Sequence, residues 1–385
     1  MTARPEGAPP AELKREVRAD PRSELAAALS VADLERLALR RMPPEAGDFV
    51  TGGSEDERTL ADNAAAFARR RFVPRVLVDV ERIDTRTTLL GREVALPIGV
   101  APTAAHGLVH PDAEAATARA AGRAGAMFCL STVSSLPLDV VATPDDGPRW
   151  FQLYVNEDRA FTRRLLERAE QAGYEAIVLT VDLPVLGYRE REKRRGWSLD
   201  VPLGNFGRPE GSRSAVADDA QPEPEIDLDE LLDSRHGGLT WDDLDSIREW
   251  TPLPLVVKGI LHPDDARLAV EHGAKGVWVS NHGGRQLDRS VASLDALEGV
   301  VAAVGGRAEV YVDGGVRRGS DALVALALGA RAVFAGRAFL YGLGAGGEAG
   351  VDRAFAILRD ELERAMALLG TPSLDQVRRE HLIGQ

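Results

Sequence analysis

The sequence predicts an α/β protein built as a (β/α)₈ TIM barrel, with an N-terminal helical segment and a long flap after the fourth barrel strand. Short apolar segments of strand length recur from residue 96 onward, and alanine-rich segments of helix length lie between most of them. Such alternation is typical of parallel strands joined by helices. The eight predicted strands are residues 97–101, 126–130, 150–154, 176–181, 255–258, 277–280, 309–312 and 332–335.

The number of strands favours a closed barrel over the alternative, a doubly wound open sheet. Eight consecutive strand–helix units are the number that closes a TIM barrel. The sequence G-x-G-x-x-G, which follows the first strand of many doubly wound sheets, does not follow residue 101. The helices predicted between the strands include residues 111–124, 158–172, 263–272 and 320–328.

The N-terminal part divides into two predicted pieces. Residues 1–22 are rich in Ala, Pro and charge, which predicts a disordered tail. Residues 23–95 form the predicted helical segment. Ser30 and Asp33 have the spacing of a capping box, and the helix that they open ends before Pro43. Ser54 and Glu57 repeat this spacing before a further helix.

The barrel domain is predicted over residues 96–385. One connection, between the fourth and fifth strands, is over seventy residues long, and its middle is polar and acidic. Connections of this length are usually lids or disordered segments. We therefore predict a mobile flap at residues 197–238 over the barrel mouth. An amphipathic helix at residues 351–369 closes the domain, and Gly370 ends it.

Composition excludes several classes of function. The 385 residues carry a net charge of -13, which disfavours binding to nucleic acid or to anionic membranes. Cys129 is the one cysteine, so neither an internal disulfide nor a cysteine metal cluster can form, and no metal site is predicted. The sequence contains no window long and apolar enough to span a bilayer. We expect a soluble cytoplasmic protein.

Polar and reactive residues follow the predicted strands. His282 and Arg285 come after the sixth strand, where an imidazole can accept a proton and a guanidinium can bind a carboxylate. Alone, a structural histidine and a surface arginine would be the simpler interpretation. The other strand ends carry further candidates, and a barrel brings all strand ends to one face. These candidates are Thr103, Ala104, Ser131, Gln152, Tyr154, Thr180, Asp182, Arg189 and Lys258.

The ends of the last two strands have the composition of a phosphate site. Glycines there can present backbone N–H groups, and Arg317 and Arg337 supply positive charge. Tight turns with surface arginines are the alternative for either strand end taken alone. Gln152, Thr180 and Ser131 could bind the edge of a heterocycle, and Lys258 adds a cation. A phosphate site and a ring site together predict flavin mononucleotide (FMN).

The chain resembles the FMN-dependent 2-hydroxy-acid oxidase and dehydrogenase family, which includes glycolate oxidase, lactate oxidase, lactate monooxygenase, mandelate dehydrogenase and hydroxymandelate oxidase. The resemblance runs from about Asp48 to the C-terminal helix. Its most specific motif is Ser-Asn-His-Gly-Gly-Arg-Gln at residues 280–286. Supporting motifs lie at residues 101–104, 151–154, 180–182, 257–259 and 313–319.

The resemblance implies catalytic roles. His282 would be the base and Asp182 the partner of the imidazolium. Arg285 and Arg189 would bind the substrate carboxylate. Tyr154 would form a hydrogen bond near the reacting hydroxyl. Lys258 would place a cation at the flavin N1/O2 edge.

The resemblance also implies the FMN site. Asp313 would lie at the ribityl chain. The phosphate would be held by Gly315, Arg317, Gly336 and Arg337. Residues placed at the flavin by the same likeness are Pro102, Thr103, Ala104, Ser131, Gln152, Thr180, Lys258 and Ser280.

Two departures from the family pattern concern the substrate. Phe49 replaces a tyrosine that contacts the carboxylate in many members, and Val133 replaces an aromatic residue that narrows the glycolate oxidase pocket. Ala105 beside it is also small. These changes favour a substrate larger than glycolate, such as lactate or a mandelate-like acid. The alternative is that flap residues refill the space.

The implied reaction is oxidation of an L-2-hydroxy acid to the 2-keto acid, with O₂ reoxidising the flavin and giving H₂O₂. A decarboxylating monooxygenase and a dehydrogenase with another acceptor are alternatives. Proton removal from carbon and hydride transfer both fit the sequence. From another class, a non-oxidative phosphate-binding barrel is the alternative. The resemblance also implies a homotetramer or octamer.

Overall fold

A computed structural model describes residues 21–143, 147–195, 201–206 and 238–384. The first elements along the chain precede the barrel. They comprise four helices and three short strands: α1 (Pro21–Ala27), α2 (Val31–Arg41), α3 (Pro44–Thr51), α4 (Arg58–Ala68), β1 (Arg71–Phe72), β2 (Thr87–Leu89) and β3 (Arg92–Val94).

Eight parallel strands follow and close into a barrel. Each pairs with its neighbour along the chain, and the last strand closes the ring on the first, with Val333 opposite Ile98. The predicted fold class is therefore confirmed. The strands are β4 (Ile98–Val100), β5 (Phe128–Leu130), β6 (Arg149–Leu153), β7 (Ile177–Thr180), β8 (Leu255–Ile260), β9 (Gly276–Val279), β10 (Glu309–Val312) and β11 (Ala332–Ala335).

Helices surround the barrel on its outside. The four helices predicted between strands are present, each within two residues of its predicted ends. The helices after β4 are α5 (Ala113–Ala124), α6 (Leu138–Val141), α7 (Arg159–Gln171), α8 (Glu190–Arg195), α9 (Trp241–Trp250), α10 (Pro263–Glu271), α11 (Ser293–Val304), α12 (Gly319–Ala327) and α13 (Arg337–Leu369). A final strand, β12 (Leu382–Ile383), pairs with β1.

The barrel interior is filled by aromatic side chains. Trp150 and Tyr311 meet edge to face with ring centroids 5.2 Å apart, and Trp278 lies 4.0 Å from Phe334 between centroids. All four are fully buried, as residues on the inward face of barrel strands should be. Cys129 is buried in the same cluster, as a small apolar residue would be. This layer supports the strand ends where the polar residues lie.

The N-terminal segment is helical only as far as Ala68, which corrects the prediction that helices extend to residue 95. Strands β2 and β3 form a hairpin instead. The two residues between them, Leu90 and Gly91, have φ values of 49° and 85°, the positive φ that tight two-residue hairpin turns require. The sequence Leu-Gly has only a weak preference for such a turn, so the sequence gave little indication of this hairpin.

The first predicted capping box is half present, since Ser30 caps α2 but Asp33 does not bind the Ser30 N–H, and the second is wrong. Ser30 Oγ accepts a hydrogen bond from the Asp33 N–H, and the Asp33 carboxylate accepts one from the Leu29 N–H. Ser54 is buried and does not cap α4. The N-cap position of α4 is Glu57, which has a left-handed φ of 60°. The Glu57 carboxylate instead accepts a hydrogen bond from the Gly53 N–H.

The C-terminal helix α13 begins at Arg337, directly after β11, rather than at residue 351. Gly346 and Gly347 interrupt it, and Gly347 has a left-handed φ of 58°. This break separates a buried first half from the amphipathic half that the periodicity predicted. Gly370 ends the helix with a φ of 78°, as expected.

The predicted tail and flap fall largely outside the described residues. Pro21 and Arg22 begin α1, so the last two positions of the predicted tail are helical. Within the flap, residues 201–206 pack on the barrel. The Asn205 side-chain amide donates to the Thr132 carbonyl at 2.9 Å, and the Phe206 ring lies 5.2 Å from Phe161 between centroids. None of the helices in the described ranges has the length and apolar character needed to cross a membrane.

Candidate active site

A cavity opens at the C-terminal ends of the barrel strands, with an empty volume of about 1280 Å³ including the space at its mouth. The N-terminal segment forms one of its walls. Most of the predicted site residues line it together: Phe49, Pro102, Thr103, Ala104, Ser131, Val133, Tyr154, Arg189, Lys258, His282, Arg285, Asp313, Gly315, Arg317, Gly336 and Arg337.

The loop that carries His282 is held by an amide pair. The side chains of Asn63 and Asn281 exchange two hydrogen bonds, each 2.8 Å long. Asn281 Oδ1 also accepts the Gly284 N–H at 3.1 Å. Asn63 lies on α4, so the N-terminal segment fixes the loop after β9. The sequence pattern around Asn63 gave no sign of this contact, because an asparagine within a helix is usually solvent-exposed.

Backbone conformation brings His282 into the cavity. Its φ is 59°, in the left-handed region that only a few non-glycine residues occupy. Gly284 follows with a φ of 76°, and a Cβ there would lie 2.6 Å from the Leu60 backbone nitrogen. The positive φ and the close contact with Leu60 explain why position 284 is a glycine, since any larger residue there would displace α4.

The His282 ring is oriented by Asp182, which follows β7. His282 Nδ1 lies 2.9 Å from Asp182 Oδ1, and because a carboxylate only accepts, Nδ1 carries the proton. The other nitrogen, Nε2, is left with its lone pair 3.4 Å from Tyr154 Oη. Gly259 makes room for this pair, because a Cβ at that position would lie 2.6 Å from the Asp182 Cβ.

Electrostatics keep the imidazole neutral and the carboxylate charged. Burial lowers the pKa of His282 below its ordinary value, although Asp182 opposes this shift. Burial alone would raise the pKa of Asp182, but His282 and Lys258 outweigh it, so that pKa is lowered. A neutral histidine with a free Nε2 can act as a base near neutral pH.

Two arginines lie beside this base. Arg285 Nη1 donates to the carbonyls of Phe49 and Gly52, at 2.6 and 3.1 Å, and its guanidinium lies 4.7 Å from the Phe49 ring centroid. Arg189 is buried, and its Nε lies 3.4 Å from the Arg285 carbonyl. Burial and the charge of Arg285 depress the pKa of Arg189. Glu192, which was not predicted as a site residue, contacts both side chains.

A buried lysine, Lys258, also lies near the strand ends. Lys258 Nζ lies 3.0 Å from Ser280 Oγ and 3.3 Å from Asp313 Oδ2. Ser280 Oγ donates to Asp313 Oδ1 at 2.6 Å. Burial favours neutral lysine, but Asp313 and Asp182 outweigh it and raise the pKa of Lys258, so the ammonium is retained.

Glycines and arginines surround the end of the cavity near β10 and β11. Gly314 and Gly315 have φ values of 95° and 91°, and a Cβ at Gly315 would collide with the Asn63 carbonyl. A Cβ at Gly336 would lie 2.8 Å from Thr103 Cγ2. The close approach of backbone that these glycines permit suits an anion bound by N–H groups. Arg317 points to the same region.

Arg337 is tied to the wall formed by the N-terminal segment. It donates to the carbonyls of Val50, Gly52 and Gly283, at 2.8, 2.7 and 2.9 Å. These bonds use three of its five N–H donors. Burial and the charge of Arg317 lower the pKa of Arg337 below its usual range.

The residues present fit FMN. Lys258 offers a cation, and Gln152 Nε2 and Thr180 Oγ1 are buried with no hydrogen-bond partner among the described residues. Buried polar atoms are rarely left unpaired, so these two atoms suit the polar edge of a bound ring. Arg317, Arg337 and the glycines suit a phosphate. Gln152, Thr180 and Ser280 do not line the main cavity, and Thr180 borders a neighbouring one.

Ala105 is the one predicted substrate contact that the structure places elsewhere. It is fully buried, donates its N–H to the Val133 carbonyl at 2.9 Å and does not line the cavity. Its φ of 54° turns the backbone away from the cavity after Ala104. Apolar lining that the sequence analysis missed comes from Val50, Leu183, Leu186 and Leu340. Of these four, Leu183 could have been predicted, because it directly follows the predicted site residue Asp182.

Known proteins are similar to this chain along most of its length. A family model described as FMN-dependent dehydrogenase matches residues 38–384. L-lactate oxidase from Nostoc sp. is 46% identical over 355 residues, covering 91% of this chain and 96% of that protein. Glycolate oxidase 1 from Zea mays is 45% identical over 361 residues, covering 92% and 95%. A structure of mandelate oxidase with (S)-4-hydroxymandelic acid has a TM-score of 0.84 and 42% identity, covering 93% of this chain and 99% of that one.

Proposed function

The chain belongs to the FMN-dependent dehydrogenase family, and on that premise we propose that it oxidises an L-2-hydroxy acid larger than glycolate to the 2-keto acid. One observation carries the proposal: His282 Nε2 lies free of Asp182 and beside Tyr154, in a cavity that Arg189 and Arg285 also line. A base next to a carboxylate site is the arrangement that oxidation of a 2-hydroxy acid needs.

His282 is the proposed base. Its Nε2 accepts a proton from the CH–OH group of the substrate, and the ring becomes an imidazolium. Asp182 stabilises that cation through the 2.9 Å contact to Nδ1. Because Asp182 is charged before the proton arrives, no reorganisation of the pair is needed during the step.

The substrate carboxylate is proposed to bind Arg285 and Arg189. Tyr154 then donates a hydrogen bond to the reacting hydroxyl group. Burial raises the pKa of Tyr154, so the phenol stays protonated and keeps its donor. These contacts orient the CH–OH group toward His282 Nε2, and orientation of this kind lowers the entropic part of the barrier.

FMN is the cofactor, and when bound it accepts the two electrons that leave the substrate. Lys258 is proposed to hold its ring edge together with Gln152, Thr180 and Ser131. Further ring contacts are proposed from Pro102, Thr103, Ala104 and Ser280. Asp313 is assigned to the ribityl chain, and the phosphate to Gly315, Arg317, Gly336 and Arg337.

Dioxygen is proposed as the final electron acceptor, giving hydrogen peroxide, because the named relatives are oxidases. The test begins with the absorption spectrum of the purified protein, which should show bound flavin. Anaerobic addition of 2-hydroxy acids should bleach it, and air should restore it with peroxide and 2-keto acid as products. A colourless protein, or a flavin that no 2-hydroxy acid reduces, would contradict the proposal. Release of carbon dioxide with a shortened acid would identify a monooxygenase instead.

The apolar lining favours a large substrate side chain. Phe49 and Val133 flank the cavity, and Leu183 and Leu186 add further apolar surface. Each buried methylene contributes about 0.8 kcal/mol. A mandelate-like acid would use this surface, whereas glycolate has no side chain to place there. The structure of mandelate oxidase with (S)-4-hydroxymandelic acid, a protein 42% identical to this chain, supports a ligand with an aryl side chain.

We expect kcat/KM to increase from glycolate through lactate to mandelate. Val133→Trp should reverse this order, because an indole would fill the space beside the substrate. Val140→Trp, at a half-exposed position on α6 outside the cavity, is the matched control and should keep the wild-type order. Wild-type preference for glycolate over mandelate would disprove the assignment of substrate size.

The pH dependence of kcat/KM should show an acid limb. His282 must be neutral to accept a proton, and burial lowers its pKa below the ordinary histidine value, so activity is retained at neutral pH and lost as the pH falls through that pKa. In Asp182→Asn the limb should move to still lower pH, because the carboxylate raises the His282 pKa. The plateau rate should fall by about tenfold or more as imidazolium stabilisation is lost. A limb that stays in place would show that His282 is not the titrating group.

Assembly and location are also proposals. Family resemblance suggests a homotetramer or octamer, and light scattering after size-exclusion chromatography measures this directly. A monomer at micromolar concentration would contradict it. A cytoplasmic location stays a prediction from the sequence.

A further inference from the structure

Glu192 lies between the two arginines of the proposed carboxylate site. Its Oε1 accepts from Arg285 Nη2 at 2.9 Å, and its Oε2 lies 3.9 Å from Arg189 Nη1. Its side chain is 15% exposed and lines the cavity. A carboxylate of the protein therefore already occupies part of the guanidinium surface that a substrate carboxylate would use.

Helix α8 places Glu192 there. Arg189 is the residue directly before α8, Glu192 follows three positions later in its first turn, and both side chains line the cavity. Glu190, on the same helix, forms an ion pair with Arg194 instead and does not line the cavity. Arg285 reaches Glu192 from the loop after β9. The three charges are therefore brought together by two separate parts of the chain.

The contact balances charge in a site that excludes much of the solvent. Arg189 and Arg285 together carry two positive charges, and Glu192 reduces the net charge of this cluster to one. A monocarboxylate substrate would bring it to zero. Without Glu192, the cluster would keep an excess positive charge after a monocarboxylate binds and would attract anions more strongly.

We propose that Glu192 is the built-in counter-ion of the arginine pair, and that it weakens carboxylate binding by competing for Arg285 Nη2. This inference rests on the proposed function, since it takes Arg285 and Arg189 as the carboxylate site. Glu192 does not touch the reacting atoms; it sets how tightly the site holds substrate and product anions. Its competition favours release of the 2-keto acid after each turnover.

The experiment uses the purified holoenzyme and oxalate as a non-reacting anion. Glu192→Gln removes the charge but keeps an oxygen that can accept from Arg285 Nη2. We expect oxalate to bind about tenfold more tightly to this variant, as loss of one charge near the anion predicts at the dielectric of a partly buried site. Oxalate affinity is measured from the change in flavin absorption. The KM of the hydroxy acid should fall in parallel.

Mandelamide provides a neutral control ligand, because it has the shape of the acid without its charge. Its affinity should be the same in wild type and Glu192→Gln. Glu190→Gln, which removes a partly exposed charge outside the cavity from the same helix, should leave oxalate affinity unchanged. A purely structural role of Glu192 would alter the binding of the acid and of the amide together.

Glu192→Asp separates charge from shape. It keeps the carboxylate on a shorter side chain, and its oxalate affinity should stay within about twofold of wild type because the charge is retained. Unchanged or weaker oxalate binding in Glu192→Gln would overturn the inference, as would equal tightening in Glu192→Asp. Failure of the proposed function looks different: hydroxy acids would then leave the flavin of the wild type and of Glu190→Gln oxidised.

Discussion

Replacing His282 with alanine is expected to slow flavin reduction by substrate about 10²–10⁴-fold, the range for loss of a general base. FMN should stay bound, because His282 makes its side-chain contacts to Asp182 and Tyr154 rather than to the proposed phosphate site. Anaerobic stopped-flow absorbance measures the rate of reduction, and the absorption spectrum before mixing measures FMN content.

His262→Asn is the matched control for that substitution. His262 is exposed, lies at the N-terminus of α10 and accepts the Asp264 N–H through its Nδ1. Asparagine keeps an acceptor at this cap, so the rate of flavin reduction should equal that of wild type. A His282→Ala enzyme that is reduced at the wild-type rate would show that another group removes the proton.

The sequence predicted which residues meet because barrel topology supplies the long-range contacts. Asp182 and His282 are one hundred positions apart, yet each directly follows a strand, and the C-terminal ends of all strands lie on one face. The ion pair of Lys258, near the end of β8, with Asp313, directly after β10, was not predicted. The bounds of β10 and β11 were predicted correctly, where Asp313 and Gly336 end the apolar segments.

Contacts that depend on backbone direction could not be predicted in this way. Ala105 follows the predicted cofactor contacts along the chain, but its positive φ turns it out of the cavity. The Asn63–Asn281 pair joins α4 to the loop after β9, and no period or strand rule relates those two positions. Glu192 was missed because an acidic residue in a highly charged helix resembles an ordinary surface residue.

The wall formed by the N-terminal segment links the two ends of the cavity. Arg285 and Arg337 both donate to the Gly52 carbonyl, at 3.1 and 2.7 Å. One arginine is proposed to bind substrate and the other the FMN phosphate. Removing Arg337 would therefore also loosen the wall beside Phe49. Within the described residues, the Arg317 side chain donates a hydrogen bond to the neighbouring Val316 carbonyl and not to this wall, so Arg317 gives the cleaner test of the phosphate site.

Arg317→Ala should weaken FMN binding more than substrate binding, because a charge-assisted hydrogen bond contributes roughly 1.5–3 kcal/mol. The double variant with Arg337→Ala should lose FMN during purification. Quenching of flavin fluorescence on titrating apoprotein gives the FMN Kd, and KM of the reconstituted enzyme gives the comparison for substrate. Arg318→Ala, whose exposed side chain pairs with Glu361, is the neighbouring control and should bind FMN as wild type does. Unchanged FMN affinity in the double variant would place the phosphate elsewhere. An increase in KM alone would instead assign Arg317 to the substrate end of the cavity.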